Sequence, residues 1–389
     1  MRGLGETVAI LGRAAREAAA AEPEIPPGGA GRLVETARFG SNPGGLKMLS
    51  YAPEGLPPGA PLVVVLHGCS QSGPGYAVRG GWIELADRLG FAVLAPEQTT
   101  SNNLNRCFNW FSTSDIERDR GEPASIAQMI HMAVRAYDLD PQRVFITGLS
   151  AGGAMSAVML ATYPELFAGG AIVAGLPFGV ATNMHNALRV MRQADGRDRD
   201  ALGELVRVAV REAEPATLRP DLRLAIWQGD ADTTVDVANA DDLAAQWTSV
   251  TGLEGAPDEV IELEGHTRSI WGGGAPGAPA VELNIVHGLG HGAPLATDGE
   301  AGLGASAPFM IDVGLSSTLE IARFWGLEAS PAYLQRPDVL EPMPEPAQAP
   351  IVALPGGDFA AQVIEALDRQ SGDIHDAIVQ SLRTAGLMR

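Results

Sequence analysis

Short runs of apolar residues recur along the middle of this chain, each about the length of one β-strand. The clearest lies within Pro61–Gly68, where apolar residues follow one another with no charged position between them. A strand that is buried on both faces needs such a run, whereas a strand with one face in water alternates apolar and polar residues. We therefore predict a sheet that is covered on both sides. Its further strands are predicted from Val144 onward and at Phe91–Leu94, Gly169–Ala174, Leu222–Trp227, Glu259–Leu263 and Val281–Val286.

Segments with the spacing of amphipathic helices separate these runs. A helix that lies on a sheet repeats its apolar residues every three or four positions. Strands that alternate with such helices form a mostly parallel sheet with helices on both faces, so the chain is predicted to belong to the α/β class. The predicted helices are Trp82–Leu89, Ala124–Tyr137, Asp236–Val250 and Ser316–Trp325, with a further helix of small residues at Ala154–Leu160.

The start of the fold is predicted to be antiparallel. The segments Leu33–Phe39 and Leu46–Tyr51 roughly alternate polar and apolar residues around Gly-Ser-Asn-Pro-Gly-Gly, which is typical of a hairpin. Composition then divides the chain into four parts. We predict an N-terminal helix and linker over residues 1–31, the α/β domain over 32–328, a Pro-rich linker over 329–356 and a helical tail over 357–389.

Charge and hydropathy exclude several classes of partner. The net charge of −20 and the absence of any Lys/Arg cluster argue against nucleic acid, and no apolar segment approaches the length of a membrane span. The stretch Met1–Ala21 alternates arginine with alanine and glutamate and lacks the apolar core of a secretory signal. We therefore expect a cytoplasmic protein by default, and a secreted one if a signal precedes the given sequence. The oligomeric state stays open.

The predicted strand at Val144 ends in Gly148-Leu149-Ser150-Ala151-Gly152, a Gly-x-Ser-x-Gly motif that leads into the helix of small residues. A strand, a sharp turn and a helix in this order form a nucleophile elbow, in which the serine hydroxyl is pushed out of the sheet. The N–H of Ala151 would then stand at a helix N-terminus, where it can face an oxyanion. Ser150 is the candidate nucleophile, and the alternative is a turn that only connects strand to helix.

A nucleophilic serine needs a base and an acid that orients the base. Three acids follow the predicted strand at Leu222: Asp230 lies in a tight turn, Asp236 is explained as a helix N-cap, and Asp232 is preferred because the loop can turn it inward. For the base, His291 lies between glycines in a loop that can carry its ring over the serine. His287 is the alternative at the strand end, and glycine-broken backbone disfavours a zinc pair formed by both histidines.

A second oxyanion donor is expected in the loop after the first central strand. In His67-Gly68-Cys69-Ser70-Gln71, the glycine lets the backbone turn an N–H inward, which assigns this donor to Cys69 beside Ala151. His67 is interpreted as structural. The two cysteines, Cys69 and Cys107, are too few for a disulfide scaffold and form no Cys-x-x-Cys pair, so we predict neither a metal nor another cofactor.

Four motifs follow one another along the chain: Leu66–Gln71, Cys107–Phe111, Gly148–Met155 and Gly288–Gly292. In this order they resemble the poly(3-hydroxybutyrate) depolymerase family of esterases, relatives of the feruloyl and acetylxylan esterases. The resemblance spans roughly residues 40–327, and four ordered motifs are far more specific than one serine motif. The acid segment departs from the family at Gln228, where relatives usually carry histidine.

The resemblance implies an α/β-hydrolase fold and a set of functional residues. It implies a triad of Ser150, Asp232 and His291, oxyanion donors at Cys69 and Ala151, a Cys69–Cys107 disulfide, and substrate contacts at Ser70, Asn109 and Trp110. For Trp110, packing in the core is the alternative.

Together these features predict a serine carboxylic-ester hydrolase that forms an acyl-enzyme. The resemblance implies polyhydroxyalkanoate-type polyesters or their oligomers as substrates, with feruloyl or acetylxylan esters as the rival class. An acyltransferase or peptidase on the same scaffold and a noncatalytic binding protein are the remaining alternatives.

Overall fold

A sheet of ten strands runs through the part of the chain that the structure describes. This computed structural model describes residues 30–213, 215, 217–275, 277–299, 302–327 and 333. The predicted N-terminal helix, most of the predicted linker and the predicted C-terminal tail lie outside the described residues. The strands of the sheet are β1 Val34–Thr36, β2 Lys47–Tyr51, β3 Leu62–Leu66, β4 Ala92–Glu97, β5 Val144–Leu149, β6 Gly169–Val173, β7 Arg223–Gly229, β8 Glu259–Leu263, β9 His266–Gly272 and β10 Ala280–Val286.

The middle of this sheet is parallel and both ends are antiparallel. The strand order is β1-β2-β4-β3-β5-β6-β7-β10-β9-β8, and every pair from β4 to β10 in that order is parallel. The pairs β1/β2, β2/β4, β10/β9 and β9/β8 are antiparallel. The predicted N-terminal antiparallel strands and the mostly parallel sheet are therefore confirmed.

Helices cover both faces of the sheet. In β3, Leu62 and Val64 pack into one hydrophobic cluster while Val63 and Val65 pack into another on the opposite face. This two-sided burial explains the uninterrupted apolar run. The helices are α1 Gly73–Arg79, α2 Trp82–Leu89, α3 Gly121–Ala136, α4 Ala151–Thr162, α5 Met184–Arg192, α6 Arg199–Glu212, α7 Ala238–Thr251 and α8 Ser317–Phe324.

Several described elements were absent from the sequence-based prediction. They are the helices α1, α5 and α6, the strand β9, and a small parallel pair formed by β11 Ala293–Leu295 and β12 Met310–Asp312. Strand β9 lacks the alternation that marks a half-buried strand, because only its residues His266 and Trp271 are fully buried. Within the described residues, no helix is both long and apolar enough to cross a bilayer.

Candidate active site

The carboxyl ends of the parallel strands bring the candidate residues to one edge of the sheet. In the register of the sheet, Leu66 of β3 lies beside Gly148 of β5, and Gly229 of β7 lies beside Val286 of β10. Because these parallel neighbours end nearly level, the loops that follow them open on the same side. These loops are His67–Gln71 after β3, Ser150 after β5, Asp230–Asp236 after β7 and His287–Gly292 after β10.

Ser150 stands at a sharp turn between β5 and α4. Its φ of 58° and ψ of −117° form a conformation that residues with a side chain rarely adopt. A Cβ at Gly148 would lie 2.3 Å from the carbonyl oxygen of Gly152, and a Cβ at Gly152 would lie 2.2 Å from the carbonyl oxygen of Leu66. The turn therefore requires both glycines of the motif, and Ser150 faces a cavity beyond the strand end.

Hydrogen bonds join Ser150, His291 and Asp232 in one line. His291 Nε2 lies 2.9 Å from Ser150 Oγ, and His291 Nδ1 lies 2.7 Å from Asp232 Oδ2. Because an ionised carboxylate can only accept, the imidazole donates from Nδ1, which leaves Nε2 to accept the serine proton. The three side chains have the arrangement of a nucleophile, a base and an acid that orients the base.

The carboxylate of Asp232 is fully buried and surrounded by donors. The N–H groups of Thr234 and Val235 donate to Oδ1 at 2.7 and 2.9 Å, and Gln228 Nε2 donates to Oδ2 at 2.9 Å. Burial alone would raise the pKa of Asp232, but the hydrogen bond and charge of His291, with the two backbone donors, hold this pKa below its ordinary value. Asp232 therefore stays ionised and can stabilise an imidazolium. Gln228, the departure from the family pattern, serves the same carboxylate.

The alternative acid and base form a second, exposed pair. Asp230 Oδ2 lies 3.1 Å from His287 Nδ1, and the N–H of Gly288 donates to Asp230 Oδ1 at 2.7 Å. Both side chains are more than a third exposed, and His287 Nε2 bonds the hydroxyl of Thr267 rather than a serine in the cavity. Among the described residues, no group of three or more His, Cys, Asp or Glu side chains is arranged to hold a metal ion.

The peptide between Gly68 and Cys69 is fixed by hydrogen bonds to its carbonyl oxygen. This oxygen accepts from His67 Nδ1 at 2.8 Å and from the N–H of Gln71 at 3.2 Å. Because a trans peptide is planar, the N–H of Cys69 points away from both donors. Among the described residues, this N–H donates to no backbone carbonyl, and Cys69 and Ala151 line the same cavity as Ser150. The geometry suits a pair of oxyanion donors.

His67 is a buried, neutral histidine. Burial lowers the pKa of His67 to about 4. Its Nε2 accepts from the N–H of Gln98 at 3.0 Å, and its ring lies 5.0 Å from that of Phe108. These contacts agree with the interpretation of His67 as structural.

Cys69 and Cys107 form a disulfide, as the resemblance implied. The bond ties the loop after β3 to a segment 38 residues further along the chain. Two loops at the cavity are therefore covalently joined.

Thiol titration of the unfolded, non-reduced protein is expected to find no free thiol. Because the bond closes a loop of 38 residues, Cys107→Ser is expected to lower the free energy of unfolding by roughly 2–4 kcal/mol. Urea unfolding measures this loss, and Cys69→Ser/Cys107→Ser should match the single variant. Two titratable thiols in the wild-type protein would contradict the prediction.

The cavity in front of Ser150 has a volume of about 260 Å³ and two unlike walls. One wall is apolar and comes from α5, whose residues Met184, Leu188 and Met191 lie on one helical face. The other wall carries amide side chains, including Asn103 and Asn105. The lining therefore offers a substrate both apolar contacts and hydrogen-bonding groups.

The three residues predicted to contact substrate have different surroundings. Trp110 and Ser70 line the cavity, and Trp110 is also a buried core residue packed edge-on against Phe111 at 5.6 Å. Asn109 is not among the cavity-lining residues, because its side chain donates to Glu122 at 2.7 Å. Trp110 thus combines packing with exposure to the cavity, whereas the structure does not bring Asn109 into it.

The parallel sheet, the elbow and the Ser–His–Asp arrangement define the class of this protein as an α/β-hydrolase. Residues 49–268 match the family model described as Esterase PHB depolymerase, and the chain belongs to that family. It is a carboxylic-ester hydrolase of the serine type.

Similar proteins support the family assignment. The chain is 38% identical over 296 residues to poly(3-hydroxyalkanoate) depolymerase C of Paucimonas lemoignei, covering 76% of this chain and 70% of the relative. It is 31% identical over 283 residues to an acetylxylan esterase of Coprinopsis cinerea, covering 70% and 71%. The solved acetyl xylan esterase from Aspergillus awamori superposes with a TM-score of 0.63 at 25% identity, over 76% of this chain and 99% of that one.

Some features of the site were missed in the sequence. Phe309 packs edge-on against the His291 ring at 5.9 Å, and α5 forms the apolar wall of the cavity. Asn183 and Asp198, which cap α5 and α6 through their side chains, were available signals for both helices. The contact of Phe309 has no such local signal, since it depends on the tertiary fold.

Proposed function

We propose that Ser150, His291 and Asp232 are the catalytic triad. His291 Nε2 takes the proton of Ser150 Oγ as the oxygen attacks the ester carbonyl, and Asp232 stabilises the resulting imidazolium. The negative charge on the carbonyl oxygen is met by the N–H groups of Cys69 and Ala151. His291 then returns its proton to the leaving alcohol, and water attacks the acyl-enzyme by the reverse sequence. The observation that carries this proposal is the pair of hydrogen bonds made by His291, at 2.9 Å to Ser150 Oγ and at 2.7 Å to Asp232 Oδ2.

We further propose that the substrates are polyhydroxyalkanoate-type polyesters, in the form of short oligomers or chain ends. The similarity to a poly(3-hydroxyalkanoate) depolymerase over 76% of this chain supports this class. The cavity volume of about 260 Å³ lies just below the roughly 300–1,000 Å³ of typical ligand pockets, which favours a short segment of chain. A carbohydrate ester is the second candidate, supported by the likeness to acetylxylan esterases.

Parallel assays on four substrates test this choice. We expect 3-hydroxybutyrate oligomers to be cleaved with a kcat/KM at least about tenfold above those of acetylated xylo-oligosaccharides and methyl ferulate, because one well-fitted contact is worth this factor. Hydrolysis of p-nitrophenyl butyrate measures the general esterase activity of the same preparation, to which the other rates are compared. A higher kcat/KM on acetylated sugar would reject the polyester proposal and favour the carbohydrate ester.

The disulfide is informative about the compartment in which the protein acts. Disulfides persist in oxidising compartments and are rare in a reducing cytoplasm, so Cys69–Cys107 supports an exported protein over the cytoplasmic default. Fractionation of cells that make the protein, followed by thiol titration of each fraction, tests this proposal.

A further inference from the structure

Glu122, at the start of α3, carries a buried carboxylate that belongs neither to the proposed triad nor to the pair of oxyanion donors. Glu122 has no exposed surface, and four N–H donors surround its two oxygens. Oε2 accepts from the backbone N–H of Asn109 at 2.8 Å. Oε1 accepts from the side-chain amides of Gln98, Asn109 and Asn102 at 2.6, 2.7 and 3.2 Å. Since all four groups donate, the site matches the ionised, acceptor-only form of the carboxylate.

Keeping a carboxylate at this position is costly. Within the described residues, no Lys, Arg or His pairs with Glu122, and Asp115, whose Oδ1 accepts the N–H of Glu122, adds negative charge nearby. Burial raises the pKa of Glu122 to about 8, against the opposing effect of the Asn109 and Gln98 donors, so the carboxyl group is ionised, and matched to its four donors, above that pH. An apolar or amide residue would remove this cost of burial, so the charge calls for a reason beyond packing.

The donors to Glu122 all lie on the segment Gln98–Asn109, which forms part of the cavity wall. From Asn109 the hydrogen bonds continue, because its Oδ1 accepts from Asn103 at 2.9 Å. Asn103 Oδ1 in turn accepts the N–H groups of Asn105 and Cys107 at 3.0 and 3.3 Å. The carbonyl oxygen of Cys107 accepts from Gln98 Nε2 at 3.1 Å. Glu122 thus anchors both ends of a segment that contains the half-cystine Cys107.

This anchored segment holds the loop after β3 at three consecutive residues. The N–H of Gln98 fixes the His67 ring, which donates to the carbonyl oxygen of Gly68. The disulfide fixes Cys69. Ser70 donates its N–H to the carbonyl oxygen of Asn105 at 2.7 Å and accepts from Arg106 at 2.7 Å. The direction of the Cys69 N–H therefore depends on a segment that Glu122 holds in place.

We propose that Glu122 is a positioning residue for the oxyanion hole, acting through the segment Gln98–Asn109 on the N–H of Cys69. The inference rests on the proposed function, in which that N–H stabilises the tetrahedral oxyanion. Since the oxyanion exists only in the transition state and the intermediate, a displaced donor lowers kcat and leaves substrate binding nearly unchanged.

The test compares Glu122→Gln with the wild-type protein at pH 9, above the raised pKa of Glu122, where the wild-type carboxylate is ionised. The glutamine has the shape of glutamate, but its NH₂ group would face N–H donors, which should release the segment. We expect kcat for p-nitrophenyl butyrate to fall by roughly 10- to 100-fold with KM changed less than about threefold, as for a donor displaced by a fraction of an ångström. The affinity for a trifluoromethyl ketone, which forms an oxyanion adduct with the serine, should fall by the same factor as kcat/KM. The control is Glu117→Gln, which removes a partly exposed carboxylate paired with Arg120 and should behave as wild type.

A second variant keeps the test decisive where Glu122→Gln does not fold. Asn109→Ala removes the side chain between Glu122 and Asn103 in a half-buried loop, and should show the same fall in kcat with steady KM. A rise in KM at constant kcat would assign the network to substrate binding and overturn the proposal, as would unchanged kinetics and inhibitor affinity. If Ser150→Ala keeps full activity, the proposed function itself fails. If Ser150→Ala is inactive while the folded Glu122 and Asn109 variants match wild type, only the present inference fails.

Discussion

Replacing Ser150 by alanine is expected to lower kcat for p-nitrophenyl butyrate by roughly four to six powers of ten. The loss follows from the removal of the atom that forms the acyl-enzyme, since His291 then has only water to activate. KM should change little, because the cavity walls and both backbone donors remain. Steady-state kinetics measure the loss, and intact-protein mass spectrometry after fluorophosphonate treatment should show one adduct on the wild type and none on the variant.

A matched control comes from the same buried helix. Ser156 donates to the carbonyl oxygen of Gly152 at 2.9 Å and is fully buried, so Ser156→Ala changes the same kind of residue away from the cavity. It should keep kcat within a few-fold of wild type. A Ser150→Ala protein that retains more than about a hundredth of the wild-type kcat, or that still takes up the probe, would contradict nucleophilic catalysis by this residue.

The elbow could be predicted from sequence because the strand, the motif and the helix that form it are contiguous in the chain. The run from Val144 gives a strand, the small residues after Ser150 give a helix, and the two glycines occupy positions where a Cβ would strike backbone. The same holds for the strand Leu62–Leu66, since burial on both faces leaves an uninterrupted apolar run. Local patterns were therefore sufficient to predict the central parallel strands and the elbow.

The walls of the cavity could not be predicted in this way. Helix α5 is short and carries Arg189 and Arg192 in its last turn, so its apolar face is a small part of a polar segment. Glu122 gives no signal at all, because a glutamate near the start of a helix is ordinary in sequence. Its burial arises only when the segment Gln98–Asn109 folds over it. Such features depend on contacts between residues distant in the chain.

The three aspartates after β7 have different hydrogen-bond partners. The sequence favours Asp232 because its loop can turn a carboxylate inward, and in the structure the N–H groups of Thr234 and Val235 hold it there. The sequence predicts Asp236 as a helix N-cap, but the N-cap of α7 is Val237, and Asp236 lies one residue before it and accepts from the N–H of Ala238 at 3.0 Å. Asp230 bonds His287 at the surface. The loops after β7 and β10 thus form two Asp–His pairs, and only the pair of Asp232 and His291 reaches a serine.

Asp232→Asn is expected to lower kcat by about 10⁴-fold, the cost of presenting the wrong tautomer of the base. An asparagine amide can donate to His291 Nδ1, which would leave the ring proton on Nε2, where it can no longer accept from Ser150. The effect should appear in kcat with a nearly constant KM, because Asp232 is fully buried behind the histidine and does not line the cavity. Stopped-flow or steady-state assays with p-nitrophenyl butyrate measure it.

The second pair supplies the control for this prediction. Asp230 lies two residues before Asp232, and Asp230→Asn makes the same chemical change beside His287. There both side chains are solvent-exposed, and His287 bonds the hydroxyl of Thr267 instead of a serine. Such an exposed pair contributes little to stability. Because it does not contact Ser150 either, kcat should stay within about twofold of wild type. Equal losses in the two variants would mean that general disturbance of the loop after β7 causes both effects. A larger loss in Asp230→Asn would move the acid and base roles to Asp230 and His287. A loss confined to Asp232→Asn, with thermal unfolding of both variants close to wild type, is the result that the hydrogen-bond geometry requires.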